Sequence, residues 1–269
     1  MKGALAYEWV RLTTVRSTWV LSAAALGVAV LAALAFTLAP SSASTGVPNA
    51  LGDQRAYATV LTAGAQLTPL LMGLLGAFAF GHEYRYGTIR PALTALPRRA
   101  PVAAAKVLTV ALWAAVVAAL TVALAAVVAL LLGGGRFDPG VSLTAGPTPR
   151  MALGVVLYIV LSALVGLAFG WLFRNIPAAV SLLLVIPTIV EPLLKIVLSL
   201  DALEPVAGIG RFLPFTAGAQ LYAYSTEGDP GVPEAFRSDL SPLSGGLIFG
   251  LLTLVLLAVA YLLFQRRDA

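Results

Sequence analysis

Six stretches of this chain are each about twenty residues or longer and almost wholly apolar. They are roughly Trp19–Ala39, Tyr57–Phe80, Val107–Leu132, Met151–Phe173, Ala178–Leu200 and Gly245–Phe264. A helix needs about 20 mostly apolar residues to cross the hydrocarbon core of a bilayer. Lipid offers backbone N–H and C=O groups no partner, so each stretch must satisfy them within itself, as a helix. The expected fold is therefore an all-α integral membrane protein with six transmembrane helices in one domain, residues 1–269. Composition agrees. Only 11% of the residues are charged, against about 25% in soluble proteins, and the mean hydropathy is +0.93.

The charges between the spans set an orientation through the positive-inside rule. With a cytoplasmic N-terminus, eleven basic residues fall inside: Lys2, Arg11, Arg16, Arg85, Arg90, Arg98, Arg99, Lys106, Arg174, Arg266 and Arg267. Five fall outside: Arg55, Arg136, Arg150, Arg211 and Arg237. The acids reverse the pattern, with Glu8, Glu83 and Asp268 inside and eight outside. Both termini are thus expected in the cytoplasm. The net charge of +5 then follows from the membrane and needs no nucleic acid. Arginine outnumbers lysine 14 to 3, a bias of GC-rich bacterial genomes that points to a bacterial plasma membrane.

Several chemistries are excluded. The chain has no cysteine, so disulfides and thiolate metal sites are out. Its one histidine, His82, cannot build a multi-histidine metal site, and it lies at the edge of a span, where no intramembrane protease would use it. No G-x-x-x-x-G-K-[ST] loop is present to cradle phosphates. No catalytic residue, metal or cofactor is expected in this chain, and ATP hydrolysis would belong to another polypeptide.

The first apolar run exceeds the 7–15 residues of a signal peptide's core. Residues 2–18 read instead as a surface helix, with Leu5, Trp9 and Leu12 on one face and Glu8 and Arg11 to one side. A disordered basic arm is the alternative.

Between the second and third spans lies "GHEYRYGTIRPALTALPRRAPVAAAK", Gly81 to Lys106, with five of the seventeen basic residues. Thr88 reads as an N-cap, and Pro91 is tolerable in a first turn whose N–H groups lack partners. Ile89, Leu93 and Leu96 share one apolar face. Pro97 ends the helix, and Pro101 opens the next, which runs into the third span. Topology alone needs only charge. A capped helix between glycine and proline stops implies a docking surface within the loop 82–105.

Glu83-Tyr84-Arg85, Gly87-Thr88-Ile89-Arg90, Leu93, Pro97-Arg98-Arg99 and Lys106 together resemble the first cytoplasmic loop of ABC transporter permeases of the type 2, export class. The layout resembles that family along the whole chain: an N-terminal surface helix, six spans, a coupling helix after the second, a tight turn "RNIP" after the fourth, and a long external segment, 201–243, before the sixth. "RFLPFTAGAQL", Arg211–Leu221, is similar to that family's partly re-entrant external segment.

The resemblance implies a mechanism. The loop would dock in a groove of a separate ABC-type ATPase subunit, which holds ATP and magnesium. Glu83 would face that ATPase or a neighbouring helix. Arg85, Arg90 and Arg99 would be contact or lipid-anchor charges, with Arg98 and Leu93 beside them, and Gly87 and Thr88 would set the turn and cap. A second permease subunit, identical or related, would complete the pore. Gly166-x-x-x-Gly170 and the Ala-rich third span offer small-residue packing, within the chain or between copies.

Three polar residues stand out at membrane depth. Glu191 and Lys195 are four apart with Glu first, the favourable order for a helical ion pair. A charge at mid-bilayer costs roughly 2.5–3.5 kcal/mol. The pair lines a substrate path, or the fifth span ends near Glu191 and the pair lies solvated in a re-entrant segment. The family layout favours the second. Gln66 contacts substrate or bonds to a neighbouring helix. The cargo implied is amphiphilic: a drug, antibiotic, peptide or lipid-like solute, as in multidrug resistance. The alternatives are a secondary transporter or channel-like protein without an ATPase, or a membrane-anchored immunity or regulatory component.

Overall fold

The computed structural model describes residues 2–38, 54–85, 99–133, 142–198, 200–223 and 240–266. Every regular element among them is helical. Helix α1 spans Lys2–Thr14 and α2 Arg16–Leu38; α3 (Gln54–Thr62) and α4 (Thr68–Arg85) are separated by a 3₁₀ turn, Ala63–Gln66. Then come α5 (Arg99–Leu132), α6 (Thr148–Phe173) and α7 (Ile176–Leu198). A 3₁₀ stretch, Asp201–Phe212, leads to the short α8 (Pro214–Ala219), and α9 covers Pro242–Arg266. Six helical stretches are long and apolar enough to cross a membrane: α2, Tyr57–Glu83, α5, α6, α7 and α9.

Helix α6 is the centre. It packs on α4, α5 and α9, and Val155, Ile159, Ala163, Leu167 and Trp171 are buried along it. Glycine decides how close α4 comes. A Cβ on Gly166 would stand 1.9 Å from the carbonyl oxygen of Gly73, and one on Gly170 would stand 2.5 Å from that of Ala77. The Gly166–Gly170 pair therefore packs within the chain, letting two backbones touch as small residues do in membrane helices.

The first and last described helices meet at one end of the bundle. Leu12 of α1, Phe80 of α4, Ala103 of α5, Trp171 of α6 and Phe264 of α9 share one buried cluster. Phe80 stacks on Trp171 at 4.8 Å between ring centres, and Phe264 meets Trp171 edge-on at 5.5 Å. At this end α6 turns sharply into α7. Arg174 takes a left-handed φ of 51°, which glycine more often fills at a helix end, and Asn175 caps α7 through Ala178 N at 3.5 Å.

Two breaks mark the opposite end. The second span divides at Ala63–Gln66, just before Pro69, whose ring cannot follow a helical carbonyl four residues back. In α7 the turn Ile186–Val190 is π-helical, ahead of Pro192. A π turn is a recognised way to absorb such a residue. Helix α8 then folds back against α6 and α9, with Phe215 and Phe249 at 5.1 Å and Tyr158 and Phe249 at 5.4 Å.

Candidate functional site

Four charged side chains come together at the terminus-bearing end, where three helices meet. Glu8 and Arg11 lie on α1, Glu83 on the last turn of α4, and Lys106 two turns into α5. Glu8, Glu83 and Lys106 are buried, Lys106 completely. Lys106 Nζ donates to Glu8 Oε1 at 2.9 Å, Glu8 Oε2 at 3.0 Å and Glu83 Oε1 at 2.8 Å. Arg11 Nη1 donates to Glu83 Oε1 at 2.6 Å, and Nη2 lies 3.0 Å from Glu8 Oε2. Arg11 Nη2 also donates to the backbone carbonyl of Ala79. The ring of Phe80 lies 5.3 Å from Lys106 Nζ. Two carboxylates and two cations cancel, which is what allows charge to be buried at all.

The face that α1 buries is thus Ala4, Glu8 and Leu12, one residue in four. The apolar stripe expected through Leu5, Trp9 and Leu12 is corrected: Glu8 turns inward because Lys106 is there to meet it, and Trp9 lies outward, edge-on to Trp113 at 5.9 Å. Burial raises the pKa of Tyr7, one turn before Arg11, and the Glu83 charge adds to the rise.

Of the two partners open to Glu83, the structure gives it neighbouring helices. The side chains of Arg85 and Arg99 are not among those described, although both residues sit on helix ends facing the loop. Gly87, Thr88, Arg90, Leu93 and Arg98 lie outside the described residues.

At the other end, Gln66, Glu191 and Lys195 line one cavity of about 470 Å³. The gap between α4, α6 and α7 forms it, and Phe215, Thr216 and Gln220 of the fold-back segment close it. Glu191 is 3% exposed. Its carboxylate accepts from Phe215 N at 2.8 Å, Thr216 N at 2.7 Å and Thr216 Oγ1 at 2.9 Å. These are the first free N–H groups of α8, so the carboxylate caps that helix from outside. Two expectations are corrected. The fifth span does not end near Glu191 but continues as helix to Leu198. Nor is Glu191 solvated, because the N-terminus of α8 supplies the donors water would have given. Gln66 is exposed and makes no side-chain hydrogen bond among the described residues, so its amide is open to the cavity. Ser162 on the cavity floor is buried, and its hydroxyl has no partner among the described residues.

The four-charge cluster went unread in the sequence. Lys106 counts there as one more positive residue, and Glu8 as the polar edge of a surface helix. The one available signal was a lysine at the eighth position of the helix that begins at Arg99.

The bundle and its two polar sites define a polytopic helical membrane protein with no catalytic constellation among the described residues. A family model described as "ABC-2 family transporter protein" matches residues 4–191. The chain belongs to that family of ABC transporter membrane proteins. The match takes in most of α1, the loop after α4, the first four spans and the fifth as far as Glu191. No curated protein matches the chain.

Proposed function

We propose that this chain is the permease half of an ATP-driven exporter in a bacterial plasma membrane, with both termini in the cytoplasm. A separate ABC-type ATPase hydrolyses ATP and docks on the loop between α4 and α5 through Arg85, Gly87, Thr88, Arg90, Leu93, Arg98 and Arg99. A second permease subunit completes the pore. The cargo is an amphiphilic solute, and Gln66, Glu191 and Lys195 lie along its path.

One observation carries this reading. Glu83 and Lys106 flank the docking loop, one at the end of α4 and one near the start of α5, and they bond directly to each other. Arg11 and Glu8 tie the same pair to α1. A push on the loop therefore meets three helices joined as one piece, which a coupling element requires. Co-purification tests it. The chain should pull down an ATPase with a Walker A loop, and Arg90→Glu should abolish the complex while leaving the chain folded. The purified chain alone should not hydrolyse ATP.

A transporter without an ATPase has one observation in its favour. The π turn in α7 beside a polar cavity matches the broken helices of gradient-driven carriers. Transport that persists when ATP is depleted but collapses with the ion gradient would select that reading.

A further inference from the structure

A second cavity, of about 400 Å³, lies beside the charge cluster, between the α1–α2 corner and the last three turns of α4. It is remote from the Gln66–Glu191–Lys195 cavity: Gln66 stands just before α4 and Glu83 in its last turn, about 25 Å apart along a helix rising 1.5 Å per residue. Leu12, Leu21, Leu75 and Phe78 form an apolar wall. The polar edge carries Arg11, Glu83, Tyr7, His82, Ser17 and Thr18.

The chemistry of that edge is specific. Glu83 is 4% exposed. Its Oε1 takes both Arg11 and Lys106. No hydrogen bond among the described residues reaches its Oε2, so a buried carboxylate keeps one acceptor in hand. The Tyr7 hydroxyl stands on the same edge as a donor and acceptor. The four charges already cancel, so a ligand bringing its own charge would unbalance a buried neutral cluster. A hydroxyl brings a donor and no charge.

We infer that this cleft is a binding site for an uncharged alcohol-headed amphiphile, its hydroxyl on Glu83 Oε2 and its chain along Leu12, Leu21, Leu75 and Phe78. Because Glu83 also joins α4 to α1 and α5, occupancy acts on the same piece that carries the docking loop. The site itself does not depend on the chain's being an ATP-driven exporter.

Photolabelling of the full chain in lipid nanodiscs tests this. The probes are a diazirine-bearing hexadecanol and the carboxylic acid and primary amine of equal chain length. The alcohol should label peptides of α1 and α4 saturably, and about tenfold more strongly than either charged probe, since an uncompensated charge at a buried site costs more than one decade of affinity. Val15→Trp, which fills the cleft from the corner without touching the ion pairs, should abolish the labelling while the melting temperature holds. Glu83→Gln is unsuitable alone because it disturbs the cluster. Equal labelling by the acid or amine, labelling unchanged in Val15→Trp, or labelling seen only after the chain is made monomeric would each overturn the proposal; the last would assign the cleft to a second copy.

Discussion

Glu83 and Glu191 are both buried carboxylates on membrane-spanning helices, and they are satisfied in opposite ways. Glu83 is met by two full charges from other helices, 72 residues back at Arg11 and 23 residues on at Lys106. Glu191 is met by backbone N–H groups and one hydroxyl from a single short helix 24 and 25 residues on. An ion-paired cluster fails badly when one member goes, because the others are left as uncompensated charge. A capped helix loses hydrogen bonds and little else. The end where α1, α4 and α5 meet, beside the proposed docking loop, is therefore built as a rigid joint. The end that closes the cavity is built from contacts that can be exchanged locally.

Removing Lys106 should break this contrast most severely. Lys106→Met leaves two carboxylates to share Arg11 and should destabilise the chain by about 3–5 kcal/mol, seen as loss of membrane-accumulated protein and a large fall in melting temperature. Adding Glu8→Gln to it should recover part of the loss, because one orphaned charge is then gone. Gly166→Ala comes next, since its methyl would collide with the Gly73 carbonyl and force α4 off α6, at about 1–3 kcal/mol. Glu191→Gln should cost about 1–3 kcal/mol, and only locally. Amide exchange at Phe215 and Thr216 should quicken while exchange in α1 stays unchanged. If α1 also loosens, the two ends are not independent and the contrast fails.

The smallest effect concerns Tyr7. Its folded pKa lies above that of a free tyrosine, through burial first and Glu83 second. In the unfolded chain Tyr7 ionises at the ordinary value, so as pH rises past about 10 the unfolded state loses its proton first. Tyr7 then subtracts slightly from stability. Ultraviolet titration against Tyr7→Phe should show a tyrosine ionising late, and Glu83→Gln should move it earlier.

What the sequence shows and hides divides along the same line. The six spans are legible because lipid imposes length and apolarity on consecutive residues, and Pro187 and Pro192 announce a disturbed helix where the π turn Ile186–Val190 lies. The joints are not legible. Nothing local tells Glu8 that Lys106 stands opposite, 98 residues away. Glu191 and Lys195 look like a helical pair because they are four apart, yet the donors that hold Glu191 arrive from a segment whose return depends on close packing between Gly218 and Phe249. The break at Ala63–Gln66 has a local signal as well, because Gln66, Thr68 and Pro69 interrupt the apolar run there.

The account turns on residues 86–98 meeting a separate motor. The chain has no native cysteine, so Thr88→Cys places a single thiol at the proposed docking loop. Its reaction with a membrane-impermeant maleimide is the direct measurement. The account predicts no labelling in intact cells, full labelling in inverted vesicles stripped of the ATPase, and protection when the ATPase is restored. Labelling from outside intact cells would contradict it, since no ATP-driven subunit could reach the loop there.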